Sequence, residues 1–442
     1  MNQGKNKNLF YILIIFLLYF IVVQDFALSL IYKISGSSTF VKLLIYSKEI
    51  IFIMLFAYVV LFVRLPQKLL LAVLLFFVCV MFSGIIALVN GKGVMNIVEN
   101  IRGVVLLPGF ICIGYGIKDD ARIINHITKK YMPFLVVCAC IGIVEYFLDK
   151  TIGTKDFWRN TVGITEFYTD IKGQAHRLVQ GFPGNFYGQY GDEFFSVKRL
   201  VGVWMGPLTA GYALFIPSLY YFILIFFKNK YRLKYFIALF LILFAIYLTH
   251  TRAIIVVFLF SALAFFVLNP TRRNLAILSV IAIFGLIFAV FNWDKIVAFI
   301  FDGSTIGHIT SILDSLDTIE ISVFGEGFGR YGVSGDVGTE NIYLTLIGNM
   351  GLMGLSLYVF IAAYSVYKVY KVKDGIWRRI ALYVALGYFI TGFVSEQLIA
   401  YTSIMPFYLL LGLTGKGAYQ EKLTVDGSLM VLNKLNGNFD LK

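Results

Sequence analysis

The chain has 442 residues, 59% hydrophobic, 17% aromatic and only 14% charged, where a soluble chain carries about 25% charged residues. This excludes a single soluble core and predicts an all-α polytopic integral membrane protein. The formal net charge of +13 is expected from basic residues gathered on one side of a membrane, so it does not point to a nucleic-acid partner. Cys79, Cys112, Cys138 and Cys140 all sit in apolar runs, with neither a disulfide framework nor a zinc-ligand spacing.

Met1–Asn8 is short and polar, with Lys5 and Lys7. Leu9–Val23 is apolar and no small-residue cleavage site follows, which predicts a retained first membrane helix rather than a removed signal peptide. About twelve apolar windows are long enough to span. They fall near 9–31, 49–63, 69–89, 101–117, 132–148, 200–227, 235–249, 253–268, 274–291, 341–367, 380–396 and 398–414. The chain thus divides into helices over 1–148, a long loop at 149–199, helices over 200–291, a second long loop at 292–340, helices over 341–414, and a tail at 415–442.

With a cytoplasmic N-terminus, the inner connections hold Arg64 and Lys68; Lys118, Arg122, Lys129 and Lys130; Lys228, Lys230, Arg232 and Lys234; Arg272 and Arg273; and Lys368, Lys371, Lys373, Arg378 and Arg379. The short outer connections hold far fewer, chiefly Lys33, Lys42 and Lys48. The positive-inside bias therefore places both termini in the cytoplasm and both long loops outside.

Long loops in a compact protein are usually functional. The second carries Asp294, Asp302, Asp314, Asp317, Glu320, Glu326, Asp336 and Glu340. Within it Ile306, Ile309, Ile312, Leu313, Leu316 and Ile319 recur at helical spacing, which predicts an amphipathic helix on the membrane surface or over the site. Gly325-Glu-Gly-Phe-Gly329-Arg-Tyr-Gly332 has the letters of a phosphate loop but lacks the preceding strand and the Lys-Ser/Thr ending. The first loop runs through Arg177, Asp192 and Glu193 to Lys198-Arg199, where polar chain meets the apolar layer. Gly206-Pro207 is expected to interrupt the helix just inside that layer.

Ionisable groups near the membrane plane are costly and therefore informative. At the outer face these are Arg102, Glu145, Arg177, Lys198, Arg199, His250, Arg252, Arg330, Glu340 and Glu396. Arginine suits phosphate because its planar fork donates two parallel hydrogen bonds. The competing role is anchoring helices to headgroups. His250, in the tight turn Thr249-His-Thr-Arg252, is either a general base or a residue that satisfies the turn. Thr339 or Asn341 caps the next long helix and would put Glu340 in its first turn. There Glu340 either complements the helix dipole or, as a partly buried carboxylate, takes a proton from a nucleophilic hydroxyl. No Ser-His-Asp order, Walker motif or metal-ligand cluster is present, and neither His126 nor His308 has a convincing ligand partner.

Three stretches together resemble the O-antigen polymerase and O-antigen ligase superfamily of bacterial envelope glycosyltransferases. They are Arg199-Leu-Val-Gly-Val-Trp-Met-Gly-Pro-Leu-Thr-Ala-Gly; Thr249-His-Thr-Arg252-Ala; and Gly325-Glu-Gly-Phe-Gly followed by Glu340-Asn341-Ile-Tyr-Leu and Gly348-Asn-Met-Gly-Leu-Met-Gly-Leu. Their order beside long outer loops is similar too, and they touch about a third of the chain. The resemblance implies a metal-independent, cofactor-free transferase at the outer face of the bacterial inner membrane. Its donor and acceptor would be polyprenyl-pyrophosphate-linked oligosaccharides, and its product O-antigen, capsule or exopolysaccharide. It further implies pyrophosphate held by Arg199 and Arg252, with Arg177, Arg330, His250 and Asn341 as further substrate contacts. A chain-length regulator and a flippase would be its partners. Arg177 and Gly188 match an Arg-x10-Gly spacing described for some polymerases. Glu340 stands where ligases have His before Asn, a departure that favours a carboxylate base in a polymerase. Phe182, Phe186, Tyr187 and Tyr190 are expected to stack on sugar rings. The alternatives are a ligase moving glycan to another acceptor and, in a different class, a lipid-linked sugar flippase.

Overall fold

The structure, a computed structural model, describes residues 3–117, 120–184, 186–190, 193–227, 232–291, 303–332, 335–372, 375–393, 395 and 404–417. Asp192, Asp294, Asp302, Glu396, Lys228 and Lys230, with most of the 415–442 tail, lie outside the described residues.

The described chain is almost wholly helical, with six helices long and apolar enough to cross a membrane, or seven if one bent pair is a single span. Helix α1 (Gln3–Ser35) and α2 (Ser38–Phe62) form a hairpin. Gly36 turns it at φ +64, a conformation that costs glycine little. The Ser37 hydroxyl then accepts from Phe40 N to cap α2. So α2 begins well before the expected 49, and Lys42 and Lys48 lie within the helix rather than in a loop. Lys48 is buried, and its Nζ donates to Gln24 Oε1 at 2.6 Å. That partner is why a charge is tolerated inside the helix.

Helix α3 (Gln67–Val89) follows, then α4 (Val94–Val104) and α5 (Leu106–Gly116), which meet at a 44° bend. The segment expected as one span at 101–117 is therefore a broken pair. α6 (Asp120–His126) continues through a π turn (Ile127–Tyr131) into α7 (Met132–Thr151). After the first long loop, which holds the single turn α8 (Ile164–Glu166), come α9 (Pro207–Phe227), α10 (Arg232–Leu248), α11 (Arg252–Leu268) and α12 (Arg272–Phe291). α13 (Gly303–Thr318) lies in the second loop, where an amphipathic helix is expected. α14 (Ile342–Lys371), α15 (Ile376–Thr391) and α16 (404–417) complete the bundle. Large apolar side chains stay exposed along these helices, among them Leu61, Val78, Phe240 and Leu259. Helices apolar on every face need lipid around them.

Inside the bundle α5 packs backbone-close against α16. A Cβ on Gly412 would lie 2.0 Å from Ile111 O, and one on Gly114 would lie 2.4 Å from Leu409 O. Small residues let membrane helices pack backbone on backbone. Gly412→Ala is expected to cost about 1–3 kcal/mol, as overpacking does, and to lower the detergent melting temperature. Gly417→Ala is the control, since its Cβ would meet Val372 only at 3.6 Å.

The long loop at 149–199 is a folded cap. It holds two antiparallel hairpins, β1 (Leu178–Val179) with β2 (Phe182–Pro183) and β3 (Tyr187–Tyr190) with β4 (Glu193–Lys198). It is fastened to α1: Ser29 Oγ donates to Val162 O at 2.8 Å, Lys33 pairs with Glu166 at 2.7 Å, and Lys172 pairs with Asp25 at 2.7 Å. Trp158, Phe167, Phe182, Phe186 and Tyr187 are buried in its own small core. The expectation that these aromatics stack on sugars is corrected for Phe182, Phe186 and Tyr187. A cap this small has no other apolar core to fold around. The side chain of Tyr190 lies outside the described residues.

Candidate functional site

Lys198 and Arg199 part company at the end of β4. Side chains alternate along a strand, and Lys198 turns inward while Arg199 points toward the turn between α10 and α11. Lys198 is buried and pairs with Glu145 at 2.9 Å. The same carboxylate accepts from Trp158 Nε1 at 2.9 Å. Burial pulls the Lys198 ammonium below its ordinary value, and Glu145 opposes that shift. Both charges are thus engaged in holding the cap to α7.

Arg199 is half-buried, and its Nε donates to Thr249 O at 2.8 Å. Its NH2 lies 3.4 Å from Thr251 Oγ1. Its neighbour Leu200 N donates to Leu248 O at 2.8 Å, so the approach to α9 is stitched to the end of α10. Burial, reinforced by the nearby Arg252 charge, pulls the Arg199 guanidinium down to about 10. It remains cationic at neutral pH. The two guanidinium charges thus repel each other in a partly dehydrated turn.

Arg252 is the first residue of α11 and is half-buried. His250 is held at φ +51, a sparsely populated conformation for a residue with a Cβ. Its Nε2 is buried and has no hydrogen-bond partner among the described residues. Burial, with the charges of Arg199, Lys150 and Arg252, holds the imidazole below its ordinary value. His250 is therefore neutral at physiological pH, with an orphaned ring nitrogen among three cations. A buried polar atom without a partner has a desolvation cost that a bound group can offset.

Helix α9 starts at Pro207 after a 3-10 turn (Gly202–Trp204) and Met205 at φ +50. The expected interruption at Gly206-Pro207 is thus a helix start. Proline is favoured in the first turn because its missing N–H is not needed there. Gly211 packs against Thr249 and Thr251.

The N-terminal end of α14 comes to the same place. Ile342 N donates to Gly392 O at 3.0 Å, and Tyr343 OH to Phe389 O at 2.7 Å, which ties α14 to the end of α15. Tyr388 of α15 donates to Tyr212 O of α9 at 2.6 Å. Glu340 is within electrostatic reach of the Tyr212 phenol. Asn341 is the cap: its Oδ1 accepts from Tyr343 N at 2.9 Å and Leu344 N at 3.1 Å. Asn341 is buried, and its side-chain oxygen is committed to the helix. Glu340 precedes the cap and is exposed, neither placed in the first turn nor partly buried as expected, because Asn341 and not Thr339 caps the helix.

The remaining expected contacts lie elsewhere. Arg330 pairs with Glu326 at 3.2 Å and Asp336 at 3.6 Å. The glycine run around it is packed on α3 and α14, where a Cβ on Gly327 would lie 2.6 Å from Ala87 N. Arg177 is exposed on the cap, its carbonyl accepting from Gly184 N at 3.0 Å. Arg102 pairs with Glu49 at 3.5 Å. His126 is hydrogen-bonded to the Tyr11 and Tyr19 hydroxyls at 2.9 and 3.2 Å. The side chain of His308 lies outside the described residues.

The structure thus gathers Arg199, His250, Arg252, Glu340 and the helix cap Asn341 at one end of the bundle. Thr249, Thr251 and Lys150 join them without having been singled out individually. The sequence signal for the threonines is the Thr249-His-Thr-Arg252 turn itself. Among the described residues no group of three or more His, Cys, Asp or Glu side chains comes together as a metal site would require.

Fold and site together define an all-α membrane protein with a basic cluster at one end of its helices. No family model, no curated protein and no solved structure matches the chain.

Proposed function

We propose that this protein is a membrane glycosyltransferase that joins polyprenyl-pyrophosphate-linked oligosaccharides into O-antigen, capsule or exopolysaccharide. The observation that supports this most is the basic turn: Arg199 and Arg252 beside the orphaned His250 nitrogen, with the exposed carboxylate of Glu340 near the same end of α9. The arginines hold the pyrophosphate, which gains negative charge as it leaves, so they favour the transition state over the ground state. The acceptor hydroxyl oxygen attacks the anomeric carbon, and Glu340 takes its proton. The bond from that carbon to the pyrophosphate oxygen breaks, and the electron pair leaves with the lipid pyrophosphate. No metal step is needed for this balance.

The same reading places about twelve spans in the bacterial inner membrane. The termini are cytoplasmic, and the cap and α13 lie outside, where a chain-length regulator and a flippase would meet the protein. The basic residues support it, since Arg64, Lys68, Arg122, Arg232, Arg272 and Arg378 all lie at or beside helix ends opposite the cluster. Single cysteines at exposed Asn160 and Asp317 are expected to react with an impermeant thiol reagent from the outer side. Reaction only from the cytoplasm would overturn the site assignment.

Gene deletion separates the readings. Single lipid-linked repeat units should accumulate if the protein is a polymerase. Full-length polymer left on lipid would make it a ligase, and repeat units trapped on the inner leaflet would make it a flippase.

A further inference from the structure

Helix α13 is built the wrong way round for a helix that packs on protein. Ile306, Ile309, Leu313 and Leu316 form one stripe, and each is between 48% and 56% exposed. The opposite arc is polar, and it is this arc that meets the protein: Ser315 is fully buried, and Ser311 Oγ donates to Gly338 O at 2.9 Å. In water the apolar stripe would turn inward and the serines outward.

The stripe is not isolated. Three residues past the helix, the exposed Ile321, Val323 and Phe324 continue the apolar surface. Phe324 stacks edge-on against Phe82 of α3 at 4.9 Å. Phe82, Ile85 and Val89 are exposed on α3, a helix long and apolar enough to cross a membrane. The apolar surface therefore runs from the lipid-facing side of a membrane span onto α13 along the loop that joins them. Asp314 is exposed on the flank of the helix, and Asp317, one turn beyond Leu313, and Glu320, past the helix end, are exposed at its C-terminal end, where water or headgroups solvate them.

The geometry points to α13 as an interfacial helix that lays its Ile306–Leu316 stripe into the acyl-chain boundary of the bilayer and, through the Ser311–Gly338 bond, holds the Glu340 strand at a fixed depth. The segment that leads to Glu340 is also tied back into the second loop, where Val337 N donates to Arg330 O at 2.9 Å and Asp336 N to Gly329 O at 3.3 Å, and that loop is in turn fastened to α14. Gly351 breaks α14 at φ +69, and the freed backbone pairs with the loop: Leu352 N donates to Ser322 O at 3.0 Å and Glu326 N to Gly348 O at 2.8 Å. Asn349 clamps Tyr331 through both its backbone N–H and carbonyl, at 3.0 and 2.9 Å. One side of the strand is thus set by the bundle and the other by the membrane. This holds whatever reaction Glu340 serves.

The test is spin labelling of the full-length protein in phospholipid nanodiscs. Single cysteines at Leu313, Leu316, Asp314 and Gly338 carry the label. Gly338 has no heavy atom within 4 Å of a built Cβ, so it accepts a side chain. Labels at 313 and 316 should collide with oxygen several-fold more, relative to a water-soluble nickel complex, than the label at 314. In the Leu313→Asp, Leu316→Asp double variant the Gly338 label should shift toward the aqueous phase. Equal nickel access at 313, 314 and 316 would overturn the proposal, as would dipolar broadening between copies at 313, which would mean that a second copy covers the stripe. Neither readout depends on turnover, so failure here is distinguishable from failure of the glycosyltransferase reading.

Discussion

Arg199→Ala and Arg252→Ala are each expected to abolish polymer formation while leaving protein abundance unchanged. Arg199 spends its Nε on the Thr249 carbonyl and sets one terminal nitrogen against the Thr251 hydroxyl, which holds the guanidinium plane in place. Oriented charge acting on a departing pyrophosphate is worth about 10²–10³ in rate per donor. Lysine at either position should restore only part of the activity, because a point charge does not reproduce a planar fork. At position 199 the lysine also loses the Thr249 contact that orients the group. The check is repeat-unit ladder length in a deletion strain carrying each variant. Wild-type ladders from both alanine variants would reduce the arginines to headgroup anchors.

The second large effect is expected at Glu340. Glu340→Gln keeps the shape and loses the proton acceptor, and general-base loss typically costs about 10²–10⁴-fold. Donor binding should persist, since the arginines are untouched. The helix should persist as well, because Asn341 and not Glu340 caps α14. Any contribution of Glu340 to the helix dipole is under about 1 kcal/mol. His250→Gln is the comparison. His250 is held neutral by burial and its cationic neighbours, so a His250 base would lose activity only as pH falls below its ordinary value of about 6.5. Near-normal turnover for Glu340→Gln with collapse for His250→Gln would move the base to His250. It would also remove the main reason to favour a polymerase over a ligase.

Much of this arrangement is legible in the chain. Apolar windows locate the helices because lipid leaves no other way to satisfy backbone groups. The Thr-x-Thr-Arg turn and the Glu-Asn start of α14 carry the cluster. What is not legible depends on partners far away in sequence. Lys48 is a buried lysine, and Gln24 on α1 and Glu49 beside it help make that tolerable. A reading of α2 by charge-free windows therefore starts the helix too late. Phe182, Phe186 and Tyr187 have the residue types of a sugar platform, yet they are the core of the cap. Nothing local distinguishes an aromatic that binds from one that packs. The reverse holds at Gly206-Pro207, where the local pattern of glycine, then proline, then an apolar run is a helix start.

The most direct test of the central claim is transfer by the purified full-length protein. It would be reconstituted in liposomes with a defined polyprenyl-pyrophosphate-linked oligosaccharide and a metal chelator. The account predicts a ladder of lipid-linked oligomers with matching release of polyprenyl pyrophosphate, and no ladder from Arg199→Ala. Unchanged oligosaccharide, with substrate moved from one leaflet to the other, would contradict it.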